Sequence, residues 1–165
     1  MLFRSLTTTT ALTLGDVDVR QSLDLKVAGL SAGALASDGG IAVASTGALS
    51  AAALNARGDD VALSGTGATT VTGNIRTGNF SDVLVTRDGA VSLNTIQAAR
   101  HIRIGEQSAA ASATIAGNVF AGGDYIVRAG TVALGGNGTV TQAANGLVAI
   151  TGGAGGITEI GRAHV

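Results

Sequence analysis

Apolar and polar residues alternate with a period of two in short runs, and Gly, Asn, Asp or Ser separates one run from the next. Apolar pairs one residue apart begin at Val17, Ile41, Val61, Val83, Ile102, Tyr125 and Leu147, at intervals of 24, 20, 22, 19, 23 and 22 residues. Successive side chains of an extended chain point to opposite sides, so this alternation predicts strands. Counted from the first residue of each pair, Gly recurs six positions on, at Gly47, Gly67, Gly89 and Gly153, and predicts a corner there. A second apolar pair follows at Leu49 and Ala51, at Val91 and Leu93 and, slipped by one residue, at Val132 and Leu134. In the first unit Leu23, Leu25 and Val27 take that place. A third apolar position comes at Leu30, Leu54, Ile75, Ile96, Ile115 and Val140.

Three short strands per unit of about 22 residues predict an all-β fold, a right-handed parallel β-helix (β-solenoid) of about seven coils. The repeat spans residues 15–158, with 1–14 expected as an irregular or incomplete first coil. In such a coil one residue in two points inward and stacks on its equivalent at about 4.8 Å, the strand spacing. Val85 is expected inside, and Arg87 at a turn outside. Short helical turns at 50–56 or 93–103 and a sandwich of Ala-rich strands are the competing folds. Val, Thr and Gly interrupt any sustained helical period, and a sandwich calls for larger core residues.

Composition supports the coil. Gly (26), Ala (30) and Thr (19) supply 75 of 165 residues, and the aromatic set is Phe3, Phe80, Phe120 and Tyr125. A stacked ladder accepts Val, Ile and Leu but has little room for rings. Cys and Pro are both absent, which excludes disulfide frameworks and thiolate metal sites and leaves every backbone N–H able to donate. Ten basic residues face eleven acidic ones with no basic run, which argues against a nucleic-acid partner. No apolar run is long enough for a transmembrane span, and the opening MLFRSLTTTT lacks the continuous apolar stretch of a signal peptide.

Residues 159–165 (Glu159-Ile160-Gly161-Arg162-Ala163-His164-Val165) break the pattern. They back-translate to GAG-ATC-GGA-AGA-GCA-CAC-GTC, which after its first base matches the start of a short-read sequencing adapter. We therefore expect them to be read-through, and the chain to be a fragment of a longer protein. His164 is then no site candidate.

The residues just before the first strand of each unit are Asp16, Gly40, Asp60, Asp82, His101, Asp124 and Gly146, so stacking brings Asp82, His101 and Asp124 to one edge. An imidazole between two carboxylates has its charged form favoured, the pattern of an acid–base or cation site. The competing expectation is that Asp, Asn and Gly cap turns by bonding local amides, because the position recurs in every coil. Asp59 and Asp60, or Asp38 with Gly39 and Gly40, are expected as turn residues, since the nonapeptide of calcium-binding β-rolls is missing. The run 152–156 lacks the Lys-Ser/Thr of a phosphate loop. Phe80, Phe120 and Tyr125 are expected to fill corners or cap ladders, with a sugar-stacking platform as the alternative. Thr7–Thr10, Thr66, Thr69, Thr70 and Thr72 do not form a regular outward array. No catalytic residue, metal ligand or cofactor is expected.

Three stretches, GDDVALSGTG, SDVLVTRDGAVSL and GGDYIVRAGTVAL, resemble the G-D-[VI]-x-[VL]-x-x-x-G-x-[VL]-x-L coils of filamentous-haemagglutinin-like large exoproteins. Similar coils occur in autotransporter passengers, and the resemblance covers about residues 15 to 156. It implies a β-helical shaft of an adhesin on the outer surface of a Gram-negative bacterium, exported through an outer-membrane transporter by two-partner secretion or as an autotransporter. Its partner would be a host or cell-surface glycan or protein receptor. The alternatives are a fragment of a β-helical polysaccharide-degrading enzyme and the stalk of a contact-dependent toxin. The enzyme is disfavoured by a single Lys and few aromatics for sugar subsites.

Overall fold

A computed structural model describes residues 5–135, 140–142, 148–152 and 157–159. All regular elements among them are β-strands, paired in parallel. The strands fall on three faces. The first stacks Ser5–Thr7, Leu23–Val27, Ile41–Ser45, Val61–Gly65, Val83–Arg87, Ile102–Ile104, the start of Tyr125–Leu134, and Val148–Gly152. The second stacks Ala11–Leu14, the starts of Gly29–Ser37 and Leu49–Ala56, then Thr69–Val71, Ala90–Leu93, Ala110–Ile115, the end of Tyr125–Leu134, and Ile157–Glu159. The third stacks Val17–Val19, the ends of Gly29–Ser37 and Leu49–Ala56, then Ile75–Thr77, Ile96–Ala98, Val119–Ala121 and Val140–Gln142. One passage over the three faces is a coil, and about seven coils form a β-solenoid.

The strands are too short to persist alone, so each is held by pairing with the coils above and below it. On the first face the inner rungs are Leu23, Ile41, Val61, Val83, Ile102 and Tyr125, beside Leu25, Val43, Leu63, Val85, Ile104 and Val127, all buried. Each such side chain contributes about 1.5–3 kcal/mol on burial. Val85 lies inside, as the alternation predicts. Two inner positions carry an oddity. The hydroxyls of Thr69 and Tyr125 are buried without a partner among the described residues, and burial pushes the Tyr125 phenol well above its ordinary range.

The repeat is real, but its phase differs from the expected one at both ends. Val17–Val19 stacks on Leu35–Ser37 and belongs to the third face, whereas Leu23–Val27 begins the first face of the second coil. Leu30 and Ile115 are second-face rungs, and Leu35 and Val119 take the third-face places. At the far end Tyr125 pairs with Val148, one residue beyond the expected Leu147, which lies outside the described residues together with Gly146 and Gly153. Stacking also starts before residue 15, since Ser5–Thr7 and Ala11–Leu14 pair in register with the next coil. The cause is uneven coil length. Along the ladder from Leu6 through Leu25, Val43, Leu63, Val85, Ile104 and Val127 to Ile150 the step varies from 18 to 23 residues. The extra residues sit at corners, between Thr77 and Val83 and between Ile104 and Ala113. On the second face, register pairs Leu93 with Ile115, Ile115 with Leu134 and Leu134 with Glu159. Residues 160–165 lie outside the described residues.

Arg87 overturns its expected place. It is 0% exposed and continues the inward ladder of Val27, Ser45 and Gly65. Nη1 donates to the Ser45 carbonyl (2.9 Å), the Ser45 hydroxyl (2.7 Å) and the Ser64 carbonyl (2.8 Å). Nη2 donates to the carbonyls of Gly47 (2.7 Å), Gly67 (3.2 Å) and Ala68 (3.3 Å). The side chain therefore reaches past the rung of Gly65 to the coil beneath. Gly65 makes this possible twice over, because its φ is +108° and a Cβ there would collide with the Ser45 carbonyl oxygen. Burial pulls the guanidinium below its ordinary value, and Asp88 pulls it back.

Candidate functional site

The edge where the third face turns into the first carries the candidate cluster. Its members sit there because the residue before each first-face strand stacks on its counterpart, and the structure brings Asp60, Asp82, His101 and Asp124 together in that order. The first three each accept from the backbone one coil on. Asp60 Oδ1 accepts the Asp82 N–H (2.7 Å), Asp82 Oδ1 accepts the His101 N–H (3.0 Å), and His101 Nδ1 accepts the Asp124 N–H (2.8 Å). At the near end Ser22 Oγ does the same for Gly40 N–H (3.2 Å). Asp16, expected on this edge, instead accepts the Ala34 N–H (2.8 Å) at the corner between the second and third faces.

Asp82 is the anchor of the edge and is only 6% exposed. Arg100 holds its carboxylate bidentately, Nε and Nη2 each at 2.7 Å. Burial works against the charge, but the Arg100 hydrogen bonds and the His101 amide outweigh it, so the carboxyl titrates below its ordinary value. At His101 two contacts compete for one nitrogen: Nδ1 is 2.8 Å from the Asp124 amide nitrogen and 3.3 Å from Asp124 Oδ2. A nitrogen accepting the amide proton has none of its own to give, so the shorter contact requires a bare Nδ1. Arg103 stands 3.6 Å from Asp124 Oδ2 and 3.2 Å from Glu106 Oε2. The arrangement clamps successive coils. Asp60, Asp82 and His101 each have an acceptor occupied by a backbone amide, which favours capping over acid–base chemistry.

A second charged group lies lower on the shaft. Arg57 bridges three coils, with Nη2 2.9 Å from Asp18 and Nη1 2.7 Å from Asp38, and the Arg57 hydrogen bond lowers the titration of Asp18. All three are solvent-exposed, so they add little stability. The aromatic residues are separated. Tyr125 is an inner rung, as a ladder-filling residue, whereas Phe80 and Phe120 are 88% and 43% exposed and do not fill corners. Arg87 is the inner residue that its charge conceals, although the signal is in the sequence: it lies four residues after Val83, on the inward parity.

Among the described residues no group of three or more His, Cys, Asp or Glu is placed to hold a metal ion. No helix among them is long and apolar enough to cross a membrane. Fold and edge together define the class, a parallel β-solenoid with backbone-capping polar edges. No family model, curated protein or solved structure gives a significant match to the chain.

Proposed function

We infer that the chain is a segment of the shaft of a large secreted protein on the outer surface of a Gram-negative bacterium, serving attachment or acting as a spacer. The observation that supports this best is the use of the edge. The carboxylates of Asp60 and Asp82 and the imidazole of His101 accept amides of the next coil, so the chemistry of the edge builds length and stiffness. The likeness of the GDDVALSGTG-type coils to filamentous-haemagglutinin-like exoproteins supplies the export route, through an outer-membrane transporter. The architecture suits such passage, since the strands of each coil pair only with those of the coils beside it and can stack as they emerge. Antibodies raised against the folded segment, applied to intact cells carrying the gene, are expected to label the surface without permeabilisation. Labelling that appears only after the envelope is opened would overturn the reading.

A further inference from the structure

The third face carries an outward row that coil-to-coil capping does not explain. Register stacks Asn55, Arg76, Gln97 and Phe120 in line along the axis, with a rise of about 4.8 Å per coil. Beside this row runs an open groove of about 340 Å³ lined by Asn55, Arg57, Arg76, Thr77, Gly78 and Gln97. Two large apolar side chains are left exposed among the described residues, Phe120 and Phe80. Phe120 is the next rung after Gln97, and Phe80 follows the lining residue Gly78 by two positions. Phe80 holds a φ of +59°, a left-handed backbone that is costly for any residue with a Cβ. With its ring 88% exposed, core packing does not offset that cost.

Arg76 is poised for a ligand. Its Nε donates to Gln97 Oε1 at 3.0 Å, which orients the guanidinium, and its two terminal nitrogens make no hydrogen bond or ion pair among the described residues. Arg57, across the groove, is already held by Asp18 and Asp38.

We propose that this row binds a linear acidic polysaccharide, a chain of uronate sugars lying along the shaft. The inference rests on the adhesive reading above and names its ligand. The fork of Arg76 matches a carboxylate bidentately. The amides of Asn55 and Gln97 both donate and accept, as sugar hydroxyls require. Phe120 and Phe80 offer apolar faces to the C–H side of a sugar ring. A row repeated at constant rise fits a polymer better than a compact ligand.

The test is calorimetric titration of the chain with polygalacturonate oligomers and, separately, with neutral dextran oligomers of the same length. Saturable binding of the uronate alone is expected, weakening as salt is raised. Arg76→Gln and Phe120→Ala should each lower affinity about tenfold or more, with thermal melting unchanged because both side chains are on the surface. Phe80→Gly should weaken binding while raising the melting temperature, a split that a purely structural role would not give. Equal binding of both polymers, undiminished affinity in Arg76→Gln, or no binding of the uronate would each overturn the site. Failure here with intact cells still labelled leaves the shaft reading standing. Unlabelled cells with uronate binding intact overturn that reading alone.

Discussion

The corner between the first and second faces and the corner between the third and first both carry polar residues from coil to coil, and they treat them in opposite ways. At the second of these, Ser22, Asp60, Asp82 and His101 accept the amide of the next coil from the rim. At the first, one cation is turned inward, and the four N–H groups on the terminal nitrogens of Arg87 are shared among six acceptors of the two preceding coils. The donors and acceptors explain the choice. Backbone N–H groups at the rim call for short acceptors, which Asp and Ser provide. The carbonyls of Ser45, Gly47, Ser64, Gly67 and Ala68 converge on one point, and only a long side chain with donors and no acceptor can meet them. A polar residue in a turn sequence is therefore no guide to exposure in a solenoid; parity along the strand is.

The largest effect expected from this contrast is at Arg87. Arg87→Ala leaves a set of inward carbonyls without their donor and should cost several kcal/mol, since each buried acceptor left unsatisfied costs about 1–3 kcal/mol. That would place it beside Val85→Asp, which buries an unpaired charge on the same strand. Arg87→Lys should recover only part of the loss, because three donors on a flexible stem cannot reproduce a planar fork. Denaturant unfolding of the three variants measures the order. A cost below about 1 kcal/mol for Arg87→Ala would return the residue to the surface and erase the contrast.

Much of this molecule is legible in the order of its residues. The alternation at Val61 and Leu63, Val83 and Val85, or Val91 and Leu93 is local, and a period of two identifies an inward pair whatever the rest of the chain does. Phase is not local. Inserted residues at the corners after Thr77 and Ile104 shift the count, and Val17–Val19 reads as a first-face pair until its partner Leu35–Ser37 is known. Residue type misled at Arg87, since charge outweighed parity and the room left by Gly65 one coil earlier is visible only in register. The place of Asp82, His101 and Asp124 on one edge follows from counting. Their chemistry does not, because Asp82 and His101 each accept an amide belonging to another coil.

Asp82 should show the next largest effect. Asp82→Asn keeps an acceptor for the His101 amide but loses the charge that Arg100 grips, a change expected to cost about 1–3 kcal/mol near neutral pH. Acid supplies the sharper test. The folded-state carboxyl titrates below the ordinary value of 3.8, so its contribution is complete above that value and is lost as the pH falls through the lower, folded one. Unfolding midpoints of the native chain should decline in that window, and those of Asp82→Asn should decline less. Parallel curves would mean that the Arg100 pair does not hold the rim.

The smallest effect is at His101, and it decides what kind of edge this is. If the ring caps a coil, Nδ1 is bare and receives the Asp124 amide, and the carboxylate 3.3 Å away is a bystander. If the pair is an acid–base couple, Nδ1 carries a proton directed at that carboxylate. Asp124→Asn separates the two, because it removes the charge and keeps the amide. Under capping, a long-range ¹H–¹⁵N spectrum at mildly alkaline pH should show Nδ1 as an unprotonated acceptor in both proteins, with stability changed by no more than about 1 kcal/mol. A proton on Nδ1 that disappears with the Asp124 carboxylate would make the edge a titrating pair, and the likeness between His101 and its neighbours Ser22, Asp60 and Asp82 would end.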